Sequence, residues 1–217
     1  DAGVEFAQGL VDARGVCALD VAAQQAELDL QEGQALGDGV VQLTRDEAAL
    51  LGHGGFSLQR GGAQSLDGTR QMAEAARAGA AAEAEVAVRM LHASQAGPDD
   101  VLAADGLIFA TPENLAAISG QLKDFFDRSY YPVLDRVNGR PYASLICAGS
   151  DGHNAARQIE RIATGWRLKA VAEPLIVCTH AQTPEAILAP KQIAPEELER
   201  CRALGEAMAA GLALGVF

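Results

Sequence analysis

The sequence has few features that would connect it to nucleic acid, to a membrane or to secretion. Lys plus Arg is 17 against 29 Asp plus Glu, a formal net charge of −12, and so acidic a surface repels phosphate backbones and anionic lipid headgroups. No apolar run approaches the roughly 20 residues of a transmembrane helix. The first residues, DAGVEF, contain neither the basic nor the apolar region of a signal peptide. We therefore expect a cytoplasmic protein with no nucleic-acid and no membrane partner.

Paired cysteines and the common nucleotide-binding loops are also absent. The four cysteines, Cys17, Cys147, Cys178 and Cys201, are too far apart for a CxxC metal or redox motif. Cys147 and Cys178 lie in apolar runs, where a free thiol behaves as a small hydrophobe. No GxGxxG follows a strand and no GxxxxGK[ST] occurs, so neither a dinucleotide-binding fold nor a P-loop is supported. We expect no metal site.

The chain consists of two unequal parts, and its composition changes near residue 63. With 217 residues and 49% hydrophobic residues, it can bury the core of one domain. Residues 1–60 have short apolar runs, no chemical motif and one strand-like stretch, 39–44. Residues 46–51 favour a short helix, with Thr44 as N-cap and Glu47 three residues later. We predict an N-terminal segment of unassigned structure over 1–60 and an α/β domain over 61–217.

The second part alternates between helix and strand patterns. Helices are predicted over residues 69–82, 120–129, 153–165 and 195–214. Strands are predicted over residues 85–91, 105–111, 142–148 and 174–179. Such alternation is typical of a parallel sheet, and continuous apolar strands indicate that helices cover both of its faces. We therefore expect residues 105–111, 142–148 and 174–179 to be parallel neighbours, with ligands at their carboxyl ends.

Three loops at those ends are candidates for binding. Residues 65–69 open a helix with small and hydroxyl side chains, which suits a phosphate, although for this loop alone plain capping by Ser65 or Asp67 is the favoured explanation. Residues 111–114 follow a buried strand that Pro112 is expected to end. They can present backbone groups to a flat ring or form a simple turn. Residues 149–153 contain two glycines that allow close approach of a ligand, and His153 is either a surface residue or a polar contact and proton donor.

Four strings resemble one family: ADGLIFATPEN, ISGQLKDFFDRSYYP, GRPYASLICAGSDG and ARQIERI. They are similar to the flavodoxin-like NAD(P)H-dependent FMN reductases, which include the tryptophan-repressor-binding-protein-like quinone oxidoreductases. The resemblance covers about residues 64–217. It implies a three-layer α/β sandwich whose parallel sheet, in strand order 2-1-3-4-5, binds FMN. Residues 56–63 are too polar for the first strand, and residues 40–44 suit it better, so we expect that strand to be degenerate or displaced.

The residues that this resemblance assigns to cofactor binding form four groups. The phosphate loop after the first strand corresponds to Ser65, Gly68 and Thr69. The first loop beside the flavin ring corresponds to Thr111, Pro112, Glu113, Asn114 and Leu115. The Ser-Gly that opens the next helix corresponds to Ser119 and Gly120. The second loop beside the ring corresponds to Gly149, Ser150, Asp151, Gly152 and His153.

The implied function is an FMN-binding oxidoreductase that passes electrons from NAD(P)H to a quinone or similar small acceptor. No side chain is needed as a nucleophile, because the cofactor carries the chemistry. His153 is the candidate for a catalytic side chain. Two alternatives stay open: a flavodoxin-like domain that has lost FMN and acts as a binding module, and a one-electron carrier. The absence of aromatic residues from both ring loops disfavours the carrier. The choice of NADH or NADPH and homo-oligomerisation stay open.

Overall fold

The computed structural model describes residues 39–45 and 68–217, all within one compact unit that runs from Leu36 to Phe217. The strands in this part of the chain are β1 (Gly39–Thr44), β2 (Ala87–His92), β3 (Gly106–Asn114), β4 (Ala117–Ile118), β5 (Pro141–Ala148), β6 (Lys169–Ala170) and β7 (Leu175–Cys178). The helices are α1 (Gly68–Ala80), α2 (Pro98–Ala103), α3 (Gly120–Val133), α4 (His153–Gly165), α5 (Pro184–Leu188) and α6 (Pro195–Ala213). Each helix and strand predicted from residue 69 onwards is present.

The strands form one sheet in the order β2-β1-β3-β5, and β6 and β7 then pair with successive parts of β5. β3, β5 and β7 are parallel neighbours, with Phe109 beside Ser144 and Leu145 beside Leu175. The three-layer α/β fold and the order 2-1-3-4-5 are therefore confirmed. Parallel pairing brings the carboxyl ends of these strands to one edge of the sheet, which we call the carboxyl edge.

The first strand is displaced, because β1 comes from the 39–44 stretch that precedes the predicted domain boundary. It is antiparallel to both neighbours, with Val41 opposite Met90 on β2 and Ile108 on β3. The sheet is thus mixed and not wholly parallel. At the far end of β1, the Thr44 hydroxyl and the Arg45 N–H both donate to Asp105 Oδ2, at 3.3 and 2.9 Å. The chain therefore leaves β1 at the edge opposite the carboxyl edge. The predicted 46–51 helix, the 56–63 segment and Ser65 lie outside the described residues.

Helices cover both faces of the sheet, as predicted. One core contains side chains of α2, α3 and α4, and its centre is an aromatic cluster of Phe109, Phe125, Phe126 and Trp166. Within this cluster, the Phe126 ring centroid lies 5.0 Å from that of Phe109 and 5.3 Å from that of Trp166. The other core contains the apolar faces of α1 and α6. Among the described residues, no helix has both the length and the apolarity needed to span a bilayer.

The α1 and α6 backbones touch where the two helices cross. A Cβ atom at Gly205 would lie within 3.0 Å of the Ala76 carbonyl oxygen, and one at Gly79 would clash in the same way with the Arg202 carbonyl oxygen. Only glycine allows this approach, which brings α6 flat against α1. This contact fixes α1 over the sheet and so determines where the first residues of α1 lie.

The prediction that Pro112 ends the third strand was wrong. β3 continues through Pro112, which is beside Cys147 of β5, as far as Asn114. Beyond Pro112 the pairing changes partner, because Glu113 and Asn114 pair with the antiparallel β4. The last residues of β3 therefore form a hairpin with β4, beyond the point where β3 stops pairing with β5.

Candidate functional site

Two of the predicted loops meet the start of α1 at the carboxyl edge. The β3–β4 hairpin and the 149–152 loop follow the neighbouring strands β3 and β5. The first residue of α1 lies beside them, since a Cβ at Gly68 would be 2.7 Å from Cys147 Sγ and 2.9 Å from Ile193 Cδ1. Of the predicted site residues, Ser65 lies outside the described part of the chain, and the others lie on these elements or at the start of α3.

The first loop is a hairpin with a strained two-residue turn. Asn114 pairs with Ala117, and the turn residues between them, Leu115 and Ala116, have positive φ angles of 50° and 60°. Two-residue hairpins with positive φ at both turn positions favour Asn-Gly, because other side chains crowd the backbone there at a cost of about 1–2 kcal/mol per residue. Leu115 is fully exposed at the tip. The hairpin is thus held in a shape that its own turn residues disfavour.

The second loop, residues 149–152, exposes backbone hydrogen-bond donors. Within the described part of the chain, the N–H groups of Ser150 and Asp151 make no hydrogen bond, and both residues are exposed. The loop ends at Gly152, the N-cap of α4, which has a φ of +83°. The first turn of α4 adds the partial positive charge of a helix N-terminus. This loop can therefore donate hydrogen bonds to the electron-rich edge of a flat ligand.

Side-chain hydrogen bonds tie the hairpin to α4. Glu113 Oε2 accepts the Gly152 N–H at 2.8 Å, and a charge-assisted bond of this kind contributes about 1.5–3 kcal/mol. The Asn154 side-chain amide donates to the Ala116 carbonyl, and Gln158 Oε1 accepts the Ile118 N–H at 3.1 Å. The two loops assigned to the ring are thus one connected unit.

The hydroxyl groups of Thr111 and Ser119 make hydrogen bonds inside the protein. Ser119 Oγ caps α3 by accepting the Leu122 N–H at 3.1 Å, and Thr111 Oγ1 accepts the Ser119 N–H at 3.1 Å. Both residues are almost completely buried. Ser119 and Gly120 open a helix, as predicted: Ser119 is the N-cap of α3, and Gly120 is its first residue. These bonds hold the end of the hairpin against α3.

The start of α1 is covered by the segment that follows β7. Gln71 donates its side-chain N–H to the Lys191 carbonyl at 2.7 Å and accepts the Ile193 N–H at 3.1 Å. Thr69 is fully buried beside Gly68. The N-terminus of α1 is therefore held at the carboxyl edge, where the dipole of a helix N-terminus favours an anion.

The surroundings of the hairpin and the second loop are acidic. Cys178, at the end of β7, is partly exposed and packs against the core, and its Sγ lies 3.8 Å from the Asp151 carbonyl oxygen. Burial raises the pKa of this thiol, and the Asp151 and Glu113 carboxylates raise it further, so Cys178 is not an activated nucleophile. His153 is exposed at the first residue of α4. The described residues contain no group of three metal-ligating side chains.

Sequence reasoning missed the side chains that connect the loops. Asn154 and Gln158 are four residues apart, so they lie on one face of α4, and this spacing directly after a predicted ligand loop was a usable signal. Gln71 and Ile193 had no such signal, since 122 positions separate the two partners of that contact.

The strand order and the loops at the carboxyl edge define a flavodoxin-like protein. The fold is similar to that of a flavodoxin from the domain Archaea, with a TM-score of 0.54, 17% identity and coverage of 67% of this chain and 90% of that chain. It is also similar to a flavodoxin, WrbA-like protein from Agrobacterium tumefaciens, with a TM-score of 0.51, 19% identity and coverage of 68% and 90%. In sequence, a flavodoxin of Aquifex aeolicus (strain VF5) is 28% identical over 153 residues, which are 68% of this chain and 82% of that protein.

The family follows from a match to residues 62–182, more than half of the chain, which fit the family described as NADPH-dependent FMN reductase. The protein belongs to this family of flavodoxin-like oxidoreductases, and the resemblance of its four strings is confirmed. The match begins after β1 and ends before α5. The antiparallel strand β1 is thus outside the part of the chain that matches the family.

Proposed function

We propose that this protein binds FMN at the carboxyl edge and uses it to pass electrons from NAD(P)H to a quinone or similar small acceptor. The observation that carries the proposal is the pair of exposed N–H donors at Ser150 and Asp151, which make no hydrogen bond to the described residues and lie on a loop joined to the hairpin. When bound, FMN supplies the redox chemistry, and the protein supplies binding, orientation and electrostatics.

The residues of the second loop fit a flavin ring. Gly149 has no side chain to keep the ring away, and a Cβ there would lie 3.4 Å from the Ala181 carbonyl oxygen. The N–H groups of Ser150 and Asp151 can donate to the ring's polar edge, where fixed donors stabilise negative charge. Across the site, Pro112 and Asn114 on the hairpin would border the ring, with Leu115 as an apolar contact at the tip.

The phosphate is assigned to the N-terminus of α1. Gly68 and Thr69 form the first turn, and Ser65 precedes them in the chain. The N–H groups of the first turn and the helix dipole at such a position favour an anion. His153, exposed at the start of α4, is assigned to protonating or positioning the acceptor.

The decisive experiment asks whether the purified full chain carries a flavin and responds to nicotinamide. We expect a yellow protein whose heat-released chromophore is FMN. Without air, NADH or NADPH should bleach the bound flavin in a stopped-flow instrument, and a quinone should restore the colour. Free FMN at the same concentration is the control. If an FMN-loaded protein is reduced by neither nicotinamide, the reductase proposal fails.

A binding module without FMN is the second candidate, and the reversed β1 favours it. The resemblance places the phosphate loop directly after a parallel first strand, whereas here β1 ends at the opposite edge from α1. A colourless protein that does not bind added FMN in a fluorescence titration would support this alternative and contradict the main proposal.

Removing the charge of Asp67 should tighten FMN binding. Asp67 directly precedes the first residue of α1, so its carboxylate would be close to the proposed phosphate. A unit charge pair about 4 Å apart repels by about 1 kcal/mol in water, and we expect Asp67→Asn to lower the Kd about fivefold in a fluorescence titration. Asp99→Asn, which removes an equal charge from the exposed first turn of α2, is the control and should leave the Kd unchanged. An unchanged Kd for Asp67→Asn would place the phosphate elsewhere.

A further inference from the structure

The turn at the tip of the hairpin requires an explanation outside its own sequence. Leu115 and Ala116 both have left-handed backbone conformations, although neither residue type favours them. Strained backbone of this kind persists only where surrounding contacts hold it, and it occurs most often at functional sites. The contacts that hold this turn come from α4 and its N-cap.

Glu113 is the hairpin residue that reaches the second loop. Its Oε2 accepts the Gly152 N–H at 2.8 Å, at the N-terminus of α4, where the helix dipole favours an anion. Its Oε1 is buried, with no hydrogen-bond partner in the described part of the chain. One carboxylate thus joins the end of β3 to the residue that follows the Ser150 and Asp151 donors.

We propose that Glu113 is a positioning residue, whose carboxylate sets the relative placement of the hairpin and the second loop and thereby keeps the proposed FMN site in its binding shape. This inference rests on the proposed function. Glu113 acts through the Gly152 N–H and not by contact with the ligand. Because Gly152 is the N-cap of α4, losing the bond frees the loop that carries the two donors. It also frees the hairpin to leave its strained turn.

The test is an FMN titration of three variants. Glu113→Ala removes the hydrogen bond, and we expect the Kd to rise at least tenfold. Glu113→Gln keeps an oxygen that can accept the same N–H, so its Kd should stay within threefold of the wild type. Adding Ala116→Gly to Glu113→Ala should recover at least threefold of the lost affinity, because glycine takes a positive φ without strain. Glu160→Ala, which removes an exposed carboxylate from α4, is the control.

These variants separate positioning from contact or charge. A Glu113→Gln variant as weak as Glu113→Ala would show that the charge itself matters, and a failed rescue by Ala116→Gly would show that the turn is not involved. Either result overturns the proposal. Should Glu113→Ala not fold, Asn154→Ala removes another bond to the same turn. Its Kd should rise severalfold and should likewise be recovered by Ala116→Gly.

Hydrogen exchange distinguishes failure of this inference from failure of the proposed function. In the protein without FMN, Glu113→Ala should speed exchange of the Gly152 and Ile118 amides at least tenfold, and Glu113→Gln should not. If the wild type does not bind FMN, the proposed function fails, and the exchange rates still decide whether Glu113 holds the two loops together. Unchanged exchange in Glu113→Ala would overturn the positioning role.

Discussion

Replacing Gly205 with alanine is expected to lower the free energy of unfolding by at least about 3 kcal/mol, the upper range for overpacking, or to prevent folding. The added Cβ would lie within 3.0 Å of the Ala76 carbonyl oxygen. Main chain cannot rotate away as a flexible side chain can, so α6 must move off α1. That movement opens the core formed by Met72, Cys201 and Met208. Urea unfolding followed by circular dichroism measures the loss.

The matched control is Gly120→Ala, at the first residue of α3. A Cβ there has nothing within 4 Å, and alanine in a helix is more stable than glycine by about 0.5–1 kcal/mol. The same substitution should therefore leave stability unchanged or slightly raised. A Gly205→Ala variant as stable as Gly120→Ala would show that the α1–α6 contact is looser than described.

Gly152→Ala is expected to weaken FMN binding at least tenfold and to destabilise the protein by about 1–3 kcal/mol, the usual cost of strained backbone. Gly152 has a φ of +83°, and an added Cβ would lie 2.5 Å from Ile176 Cγ2 and 3.1 Å from Ala148 Cβ. The loop must shift to relieve both contacts, and it takes with it the N–H bound to Glu113 and the donors of Ser150 and Asp151. FMN titration and thermal unfolding measure the two effects.

Gly149→Ala, in the same loop, is the control for the loss of stability. Its φ is not in the left-handed region, and the added Cβ would be at ordinary contact distance, 3.4 Å, from the Ala181 carbonyl oxygen. Stability should stay within about 0.5 kcal/mol of the wild type, as for an ordinary surface substitution. A Gly152→Ala variant as stable as Gly149→Ala would show that the loop tolerates a side chain at Gly152, and an unchanged FMN affinity of Gly152→Ala would contradict its role in placing the donors.

The strands β3, β5 and β7 were predictable because continuous apolar runs indicate burial. The runs at 105–111 and 142–148 occur in strands that helices cover on both faces, so every residue from 106 to 111 and from 142 to 148 is buried. The α4 helix was predictable from Ala156 and Ile159, which lie on one apolar face. The loops that follow these strands could be located for the same reason, since parallel strands end at a common edge.

The direction of β1 and the shape of the hairpin could not be predicted in this way. A strand of six buried residues can occupy the centre of a sheet in either direction. The direction of β1 depends on its pairing with β2 and β3, which are distant in sequence. Leu115 and Ala116 do not favour a turn with positive φ, and their local preference predicts a plain loop. The bond from the Gly152 N–H to Glu113 and the bond from Asn154 of α4 to the Ala116 carbonyl override that preference.

The sequence by itself determined four of the helices and four of the strands from residue 69 onwards, the family, and the loops that form the candidate site, but it did not indicate the short elements α2, α5, β4 and β6. These depend on hydrophobic periodicity and on short motifs, and both can be recognised from residues that are close together in the sequence. Tertiary structure alone decided the reversal of β1, the backbone contact at Gly205 and the bond from Glu113 to Gly152. Each of these joins residues at least 39 positions apart, and their energies depend on distances that exist only after the chain has folded.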